Sequence, residues 1–342
     1  ASIIFLVASV NYIILFLVGF FNLPYSYLQN NYFYNYYDDV AFYDLIFYSI
    51  LFIFVKNIDI YIKPNNQFAL LSLIIGISFI VLNLYYVFPY LGQEYAETFD
   101  KQTSLNEYGW LCLSLWLLFY KDSFYRIKNI SIFIVFVLFV ISVFFGARLQ
   151  LSMLVIALLV KYLDKFNKFN IFLFYLFFVF GGILLGILRE LSTDNLNLEY
   201  IFSTINQGAS LHASSVYLAA LDEGYFSSFQ KLSIPIYTFF LSPFISLDVL
   251  PNFVSTQMYI LGFSNIQGNG GMIGFYTFFY FGLFGLIISP IVFSILMRLP
   301  ILAICFILLS FRWQLYNLAP FLKVLFFSIT FFVSYNLLIY LQ

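Results

Sequence analysis

Long apolar runs separated by short polar stretches make up most of the chain. An α-helix needs about 20 apolar residues to cross a hydrocarbon core about 30 Å thick. The apolar stretch 130–160 exceeds one crossing and is interrupted by Gly146 and Arg148, so we interpret it as a hairpin. The run from Ser2 to Phe21 lacks a basic n-region and an A-x-A cleavage site, which predicts a retained membrane helix. The pattern predicts an all-α polytopic membrane protein, a bundle of about ten transmembrane helices, near residues 3–21, 40–55, 68–87, 108–120, 130–146, 149–163, 170–188, 273–297, 299–311 and 319–341.

One long segment, residues 189–272, departs from this pattern because polar and small residues enter it and no clean span remains. The sequence therefore predicts a single transmembrane domain over residues 1–342 with a large loop at 189–272. Within the loop, residues 232–250 are apolar but broken by two prolines. This favours a re-entrant element or short helices rather than a full crossing.

Lysine and arginine in the short loops predict the orientation, because cytoplasmic loops carry an excess of both. With the N-terminus in the cytoplasm, the alternation of spans gives the inner side more of these residues than the outer side, and residues 189–272 become a periplasmic loop. The inner loops receive Lys56, Lys63, Lys121, Arg126, Lys128, Lys161, Lys165, Lys168 and Arg298, and the outer side receives Lys101, Arg148, Arg189, Lys231 and Arg312.

Composition supports lipid as the main solvent. The chain is 63% hydrophobic and 9% charged, whereas about a quarter of a soluble domain is charged. The net charge of -1 argues against nucleic acid as a partner. Cys112 and Cys305 lie in apolar runs as small hydrophobes, so no disulfide or zinc framework is predicted.

Two arginines at the predicted outer edge of the hydrocarbon are candidates for anion binding. Arg148 begins the sixth span and Arg189 ends the seventh. A guanidinium is costly to place there unless it meets an anion or reaches the headgroups. Two planar guanidinium groups at the same depth in the membrane favour joint binding, as a clamp, of a lipid-linked phosphate or pyrophosphate. Interfacial anchoring, or a local pair with Glu190, is the alternative.

His212 is the only histidine of the chain and lies in the predicted outer loop. A neutral imidazole can take a proton from a sugar hydroxyl near neutral pH, as glycosyl transfer requires of a general base. A structural hydrogen-bonding role is the alternative. Rival bases in the same loop are Glu199, Asp222 and Glu223.

A glycine-rich segment, Gly268 to Gly274, precedes the eighth span. Its glycines allow close backbone approach, and unpaired amides at the start of the span would bind an anion. Simple helix packing is the alternative interpretation. Further upstream, Asp38 and Asp39 end the first outer loop, where they would hold a divalent cation, act as a base, or simply be solvated.

In their order along the chain, these motifs resemble the Wzy-type O-antigen and capsular repeat-unit polymerases, whose plan the O-antigen ligases share. The resemblance covers residues 130–300 and rests on Gly146-Ala147-Arg148 in the hairpin, Arg189, and the turn leading into Phe281-Gly282-Leu283-Phe284-Gly285. The sequence departs from the family at Ala147, where a serine is frequent, and at Tyr276, near the place of a frequent glutamate.

The resemblance implies an enzyme at the outer face of the bacterial inner membrane. It implies transfer of a growing glycan from an undecaprenyl-pyrophosphate carrier onto another lipid-linked repeat unit. Donor and acceptor would be the partners, with membrane lipids and a chain-length regulator beside them, and neither metal nor cofactor is required. The resemblance implies that Arg148 and Arg189 bind the pyrophosphate. It also implies that Gly270, Gly271 and Tyr276 contact the glycan and that His212 acts on the acceptor hydroxyl.

Other functions stay open. An O-antigen ligase would pass the same donor to the lipid A core, and a polyprenyl-monophosphate-dependent glycosyltransferase would use Asp38 and Asp39. A lipid-linked glycan transporter would need charged residues deep in its spans, for which Asp44 and Lys323 are nearly the only candidates. A structural membrane subunit is the remaining alternative.

Overall fold

The computed structural model describes residues 4–5, 7–13, 36–58, 64–90, 104–121, 129, 132–133, 136–137, 140, 148–162, 206–224, 271–315, 326–333, 336–337 and 340. Over these residues the regular elements are all helical and no strand occurs, which confirms the all-α class for this part of the chain. Residues 4–5 and 7–13 are also helical and are called the N-terminal segment. The named elements are α1 (Tyr37–Val55), α2 (Asn66–Val87), a 3-10 turn (Phe88–Tyr90), α3 (Ser104–Phe119), α4 (Arg148–Tyr162), α5 (Asn206–Asp222), α6 (Ile273–Leu296), α7 (Pro300–Leu308) and α8 (Ser310–Leu315).

Five of the predicted spans match α1, α2, α3, α4 and α6 to within four residues at each end. The predicted span 299–311 is wrong as a single helix, because α7 ends at Leu308 and α8 follows after a turn. The Phe306 carbonyl accepts hydrogen bonds from the Trp313 indole at 2.8 Å and from the Ser310 hydroxyl at 3.1 Å. A nine-residue helix is about 14 Å long, too short for a crossing. The predicted span 170–188 lies outside the described residues.

Two helices, α2 and α6, are long and apolar enough to cross a membrane, with 22 and 24 residues. Large apolar side chains also project outward from them, among them Leu283 and Phe284, which are 65% and 72% exposed. Apolar surface of this extent is unfavourable in water and favourable in lipid. The helices therefore indicate a membrane protein.

The backbone of α6 bends at Gly282, which has φ 64° and ψ -156° inside an otherwise helical segment. Only glycine adopts such a conformation without strain. After the bend, Gly285 lies so close to the Thr277 carbonyl and to Phe281 that a side chain there would collide with both. The Phe-Gly-x-x-Gly motif thus encodes a bend and a close packing point.

The chain forms two compact units. The first unit, residues 1–59, 175–306 and 310–329, contains α1, α5, α6 and α8. Its core lies where α5 and the first turns of α6 pack beside the start of α1. Buried members of this core are Val40, Val216, Tyr217, Leu218, Ala219, Ala220, Met272, Phe275, Tyr276, Phe279 and Tyr280.

The second unit, residues 60–174, 307–309 and 330–342, contains α2, α3 and α4. The start of α2 meets the end of α3, because the Asn65 amide donates to the Phe119 carbonyl at 2.9 Å. Gly76 and Gly109 permit close approach of these antiparallel helices, and a Cβ at Gly109 would lie 2.6 Å from Ile80. Small residues at the crossing favour packing of helices in lipid.

Lys161, near the end of α4, caps the end of α3. Its ammonium donates to the carbonyls of Leu117 at 2.8 Å and Tyr120 at 2.9 Å and lies 5.5 Å from the centre of the Tyr120 ring. A cation is favoured there because unpaired carbonyls and the helix dipole make the C-terminus negative. The described ends of α3 and α4 therefore lie side by side.

Replacing Lys161 with methionine is expected to lower the free energy of unfolding by about 1–3 kcal/mol, because two carbonyls lose a charged donor. Thermal unfolding of the detergent-solubilised protein measures the effect. Lys121→Met is the matched control, since Lys121 is exposed and uses its backbone amide to bind Asn66. Equal stability of the two variants would contradict the capping role.

Candidate functional site at the start of α6

The first amides of α6 are bound by side chains from distant parts of the chain. The N-cap residue, Met272, supplies no side-chain cap, although the first amides of any helix need acceptors from outside the helix. The Gly274 amide donates to Asp44 Oδ1 of α1 at 2.7 Å, and the Met272 amide donates to Ser214 Oγ of α5 at 2.9 Å. Asp44 and Ser214, here called the capping pair, therefore join three helices at one point.

Asp44 is a buried carboxylate, only 1% exposed, in an otherwise apolar stretch of α1. Its second oxygen accepts a hydrogen bond from the Tyr12 hydroxyl of the N-terminal segment at 2.6 Å. A buried charge is costly unless it is paired or hydrogen-bonded. The Gly274 amide, the positive end of the α6 dipole and the Tyr12 hydroxyl together offset that cost.

Gly274 allows α6 to lie directly on α1. A Cβ at this position would collide with the Asp44 backbone and would lie 2.7 Å from the Tyr43 carbonyl oxygen. Nearby, a side chain at Gly271 would enter the ring of Tyr276. At these two positions the glycine-rich motif serves close contact within the protein.

Tyrosines pack around the start of α6. The rings of Tyr276 and Tyr280 are stacked with centres 6.0 Å apart, and Tyr217 of α5 lies 6.2 Å from Tyr276. Burial, with a smaller contribution from Tyr280, raises the pKa of Tyr217, so this phenol stays neutral. Tyr276 is only 2% exposed, so it is a core residue in this structure, and its contact with a glycan stays a prediction.

The predicted catalytic residues are placed only in part. Arg148 is the first residue of α4 and His212 lies in α5, but the structure does not describe the side chain of either residue. Arg189 and Gly270 lie outside the described residues altogether. The pyrophosphate clamp of two arginines therefore stays a prediction. His212 is two residues before Ser214, whose hydroxyl accepts the hydrogen bond of the Met272 amide.

One expectation about this turn is corrected. The amides of Met272 and Gly274 are not unpaired, since Ser214 and Asp44 already accept from them. The anion at this helix start is thus a carboxylate of the protein itself. A helix N-terminus with its donors occupied has less capacity for an external phosphate.

Asp38 and Asp39 lie in the first turn of α1 rather than at the end of a loop. Both are exposed, and carboxylates at a helix N-terminus are stabilised by the dipole. α1 also packs against α5 within the first unit. Among the described residues no group of three or more His, Cys, Asp or Glu side chains could hold a metal ion.

Sequence reasoning considered Asp44 only as a transport residue and did not consider Tyr12 or Ser214. An acidic residue in an apolar run is a usable signal of function or of a buried partner. The two hydroxyl partners carry no such signal, because serine and tyrosine are common in this chain and their contacts are long-range.

Over the described residues the protein is helical, has two helices long and apolar enough to cross a membrane, and uses side chains from two other helices to cap the start of one of them. No protein-family model, curated protein or solved structure matches the chain.

Proposed function

We propose that the protein is a membrane glycosyltransferase that polymerises undecaprenyl-pyrophosphate-linked oligosaccharide repeat units. The observation that carries the proposal is the hydrogen bond from the Met272 amide to Ser214. It joins the helix that bears His212 to the glycine-rich turn, so two motifs that are separate in the sequence become neighbours in one compact unit. The order of these motifs and of the two arginines along the chain supports the same class.

In the proposed reaction, His212 removes the proton from the acceptor sugar hydroxyl, whose oxygen then bonds to the anomeric carbon of the donor glycan. The bond between that carbon and the pyrophosphate oxygen breaks. Arg148 and Arg189 stabilise the negative charge that develops on the departing undecaprenyl pyrophosphate. A leaving group activated in this way needs no metal ion.

The proposal places the protein in the bacterial inner membrane as a bundle of about ten helices, with the N-terminus in the cytoplasm. The segment 189–272 then lies in the periplasm, and the reaction takes place at the outer face. The end of α3, capped by Lys161, becomes a cytoplasmic end. The positive-inside pattern of the short loops supports this orientation.

Reconstituted protein supplied with purified lipid-linked repeat units tests the proposal. A ladder of longer glycans on undecaprenyl pyrophosphate is the expected product. Movement of labelled substrate across the bilayer without chain growth would favour a transporter. Transfer to added lipid A core without chain growth would favour a ligase.

A second candidate is a polyprenyl-monophosphate-dependent glycosyltransferase that uses Asp38 and Asp39. The observation in its favour is that these carboxylates are exposed in the first turn of α1, a helix that packs against α5. On the polymerase proposal, Asp38→Asn combined with Asp39→Asn changes the rate of chain growth by no more than about twofold. Sugar transfer from a polyprenyl monophosphate that is abolished by the same double substitution would favour the second candidate.

A further inference from the structure

The capping pair is built from residues that lie far apart in the sequence. Asp44 and Gly274 are separated by 230 residues, and Ser214 and Met272 by 58. Both side chains are buried, with Asp44 1% and Ser214 0% exposed. Their hydrogen bonds fix α1 and α5 against the same turn of α6, which ends the glycine-rich motif.

Ser214 uses its hydroxyl differently from the serine beside it. Ser215 donates to the Leu211 carbonyl within α5, so its bond remains inside one helix. Ser214 accepts from another helix and thereby sets the distance between α5 and the start of α6. His212 belongs to the same turn of α5, and a shift of about 1 Å at a reacting group can reduce a rate about 100-fold.

We propose that Asp44 and Ser214 are positioning residues of the glycan-transfer site, which fix the helix of His212 against the start of α6. This inference rests on the proposed function. Neither residue contacts substrate in this role. Asp44 acts through the Gly274 amide and Ser214 through the Met272 amide.

Four variants test the inference in the chain-growth assay, with rates expressed per folded molecule after size-exclusion chromatography. Ser214→Ala and Asp44→Leu are expected to lower kcat/KM for the acceptor about 10- to 100-fold. Ser215→Ala, the matched serine control, is expected to retain the wild-type value. Asp44→Asn is also expected to retain most activity, because its amide oxygen still accepts from Gly274 and its NH2 group can donate to Tyr12.

The outcomes separate positioning from other roles. Wild-type kinetics in Ser214→Ala and Asp44→Leu would overturn the inference, as would an equal loss in Ser215→Ala. Loss in Asp44→Asn as deep as in Asp44→Leu would also overturn it, since the carboxylate itself would then be required.

A second measurement tests the capping pair independently of activity. It applies even if the wild-type protein shows no chain growth, which would contradict the proposed function. Amide hydrogen exchange at Met272 and Gly274 is expected to be about tenfold faster or more in Ser214→Ala and Asp44→Leu than in wild type, because those amides lose their acceptors. It is expected to be unchanged in Ser215→Ala. Unchanged exchange in the first two variants would overturn the inference independently of activity.

Discussion

Alanine at Arg148 or at Arg189 is expected to slow chain growth by about 100- to 1,000-fold in reconstituted protein, the size of effect seen when one donor to a developing charge is removed. In the proposed reaction, each guanidinium stabilises the diphosphate as its bond to the glycan breaks. The loss should therefore appear mainly in kcat. Arg148→Lys should be intermediate, because lysine retains the charge but not the planar pair of donors.

Arg298→Ala is the matched control, since Arg298 is exposed just after α6 and has no role in the proposed reaction. Its rate is expected to equal that of wild type. Full activity in both Arg148→Ala and Arg189→Ala would refute the clamp while leaving the helical fold intact. His212→Ala, measured in the same assay, separately tests the proposed base.

Alanine at Gly274 is expected to lower the free energy of unfolding by about 1–3 kcal/mol. The added methyl group meets the backbone of α1 at Asp44 and Tyr43, which cannot rotate away as a side chain can. The two helices must separate, and the bond from the Gly274 amide to Asp44 lengthens with them. Thermal unfolding in detergent and the yield of folded protein report the loss.

Gly76→Ala provides the graded comparison. Its Cβ would lie 2.9 Å from Leu113 Cδ2, the flexible end of a side chain, and 3.0 Å from the Gly109 carbonyl oxygen. A smaller loss of stability is expected, because Leu113 can adopt another rotamer. A loss at Gly76 equal to or larger than that at Gly274 would contradict the contact between the α6 and α1 backbones.

Hydropathy predicted the helix bounds best where the apolar run is long. Residues 66–87 form one helix close to its predicted limits, and residues 273–296 are helical on both sides of the bend at Gly282, because no charged residue interrupts either run. The prediction of one continuous helix failed at residues 299–311. Hydropathy carries no information on the hydrogen bonds that Ser310 and Trp313 donate to the Phe306 carbonyl. Apolar character therefore predicts the presence of a helix more reliably than its continuity.

The candidate site was less predictable for a physical reason. Glycine at position 274 indicates that another part of the protein lies close by, but it does not indicate which part. In the structure that part is the backbone of α1 at Asp44. Pairing across 230 residues leaves no periodic trace in a single sequence. The packing of Tyr217 against Tyr276 is likewise a tertiary contact. Tyrosine is so frequent in this chain that its presence at these two positions does not indicate the contact.

The cap of α6 also bears on the order in which the chain is assembled. During synthesis, α1 leaves the ribosome long before the Gly274 amide exists, since 230 residues separate donor and acceptor. A nascent chain arrested before residue 272 carries a carboxylate in α1 that lacks its backbone partner, and burying such a group costs several kcal/mol. We expect α1 to remain near the lipid–water boundary until α6 inserts. The final position of α1 would then be reached only after α6 has been synthesised.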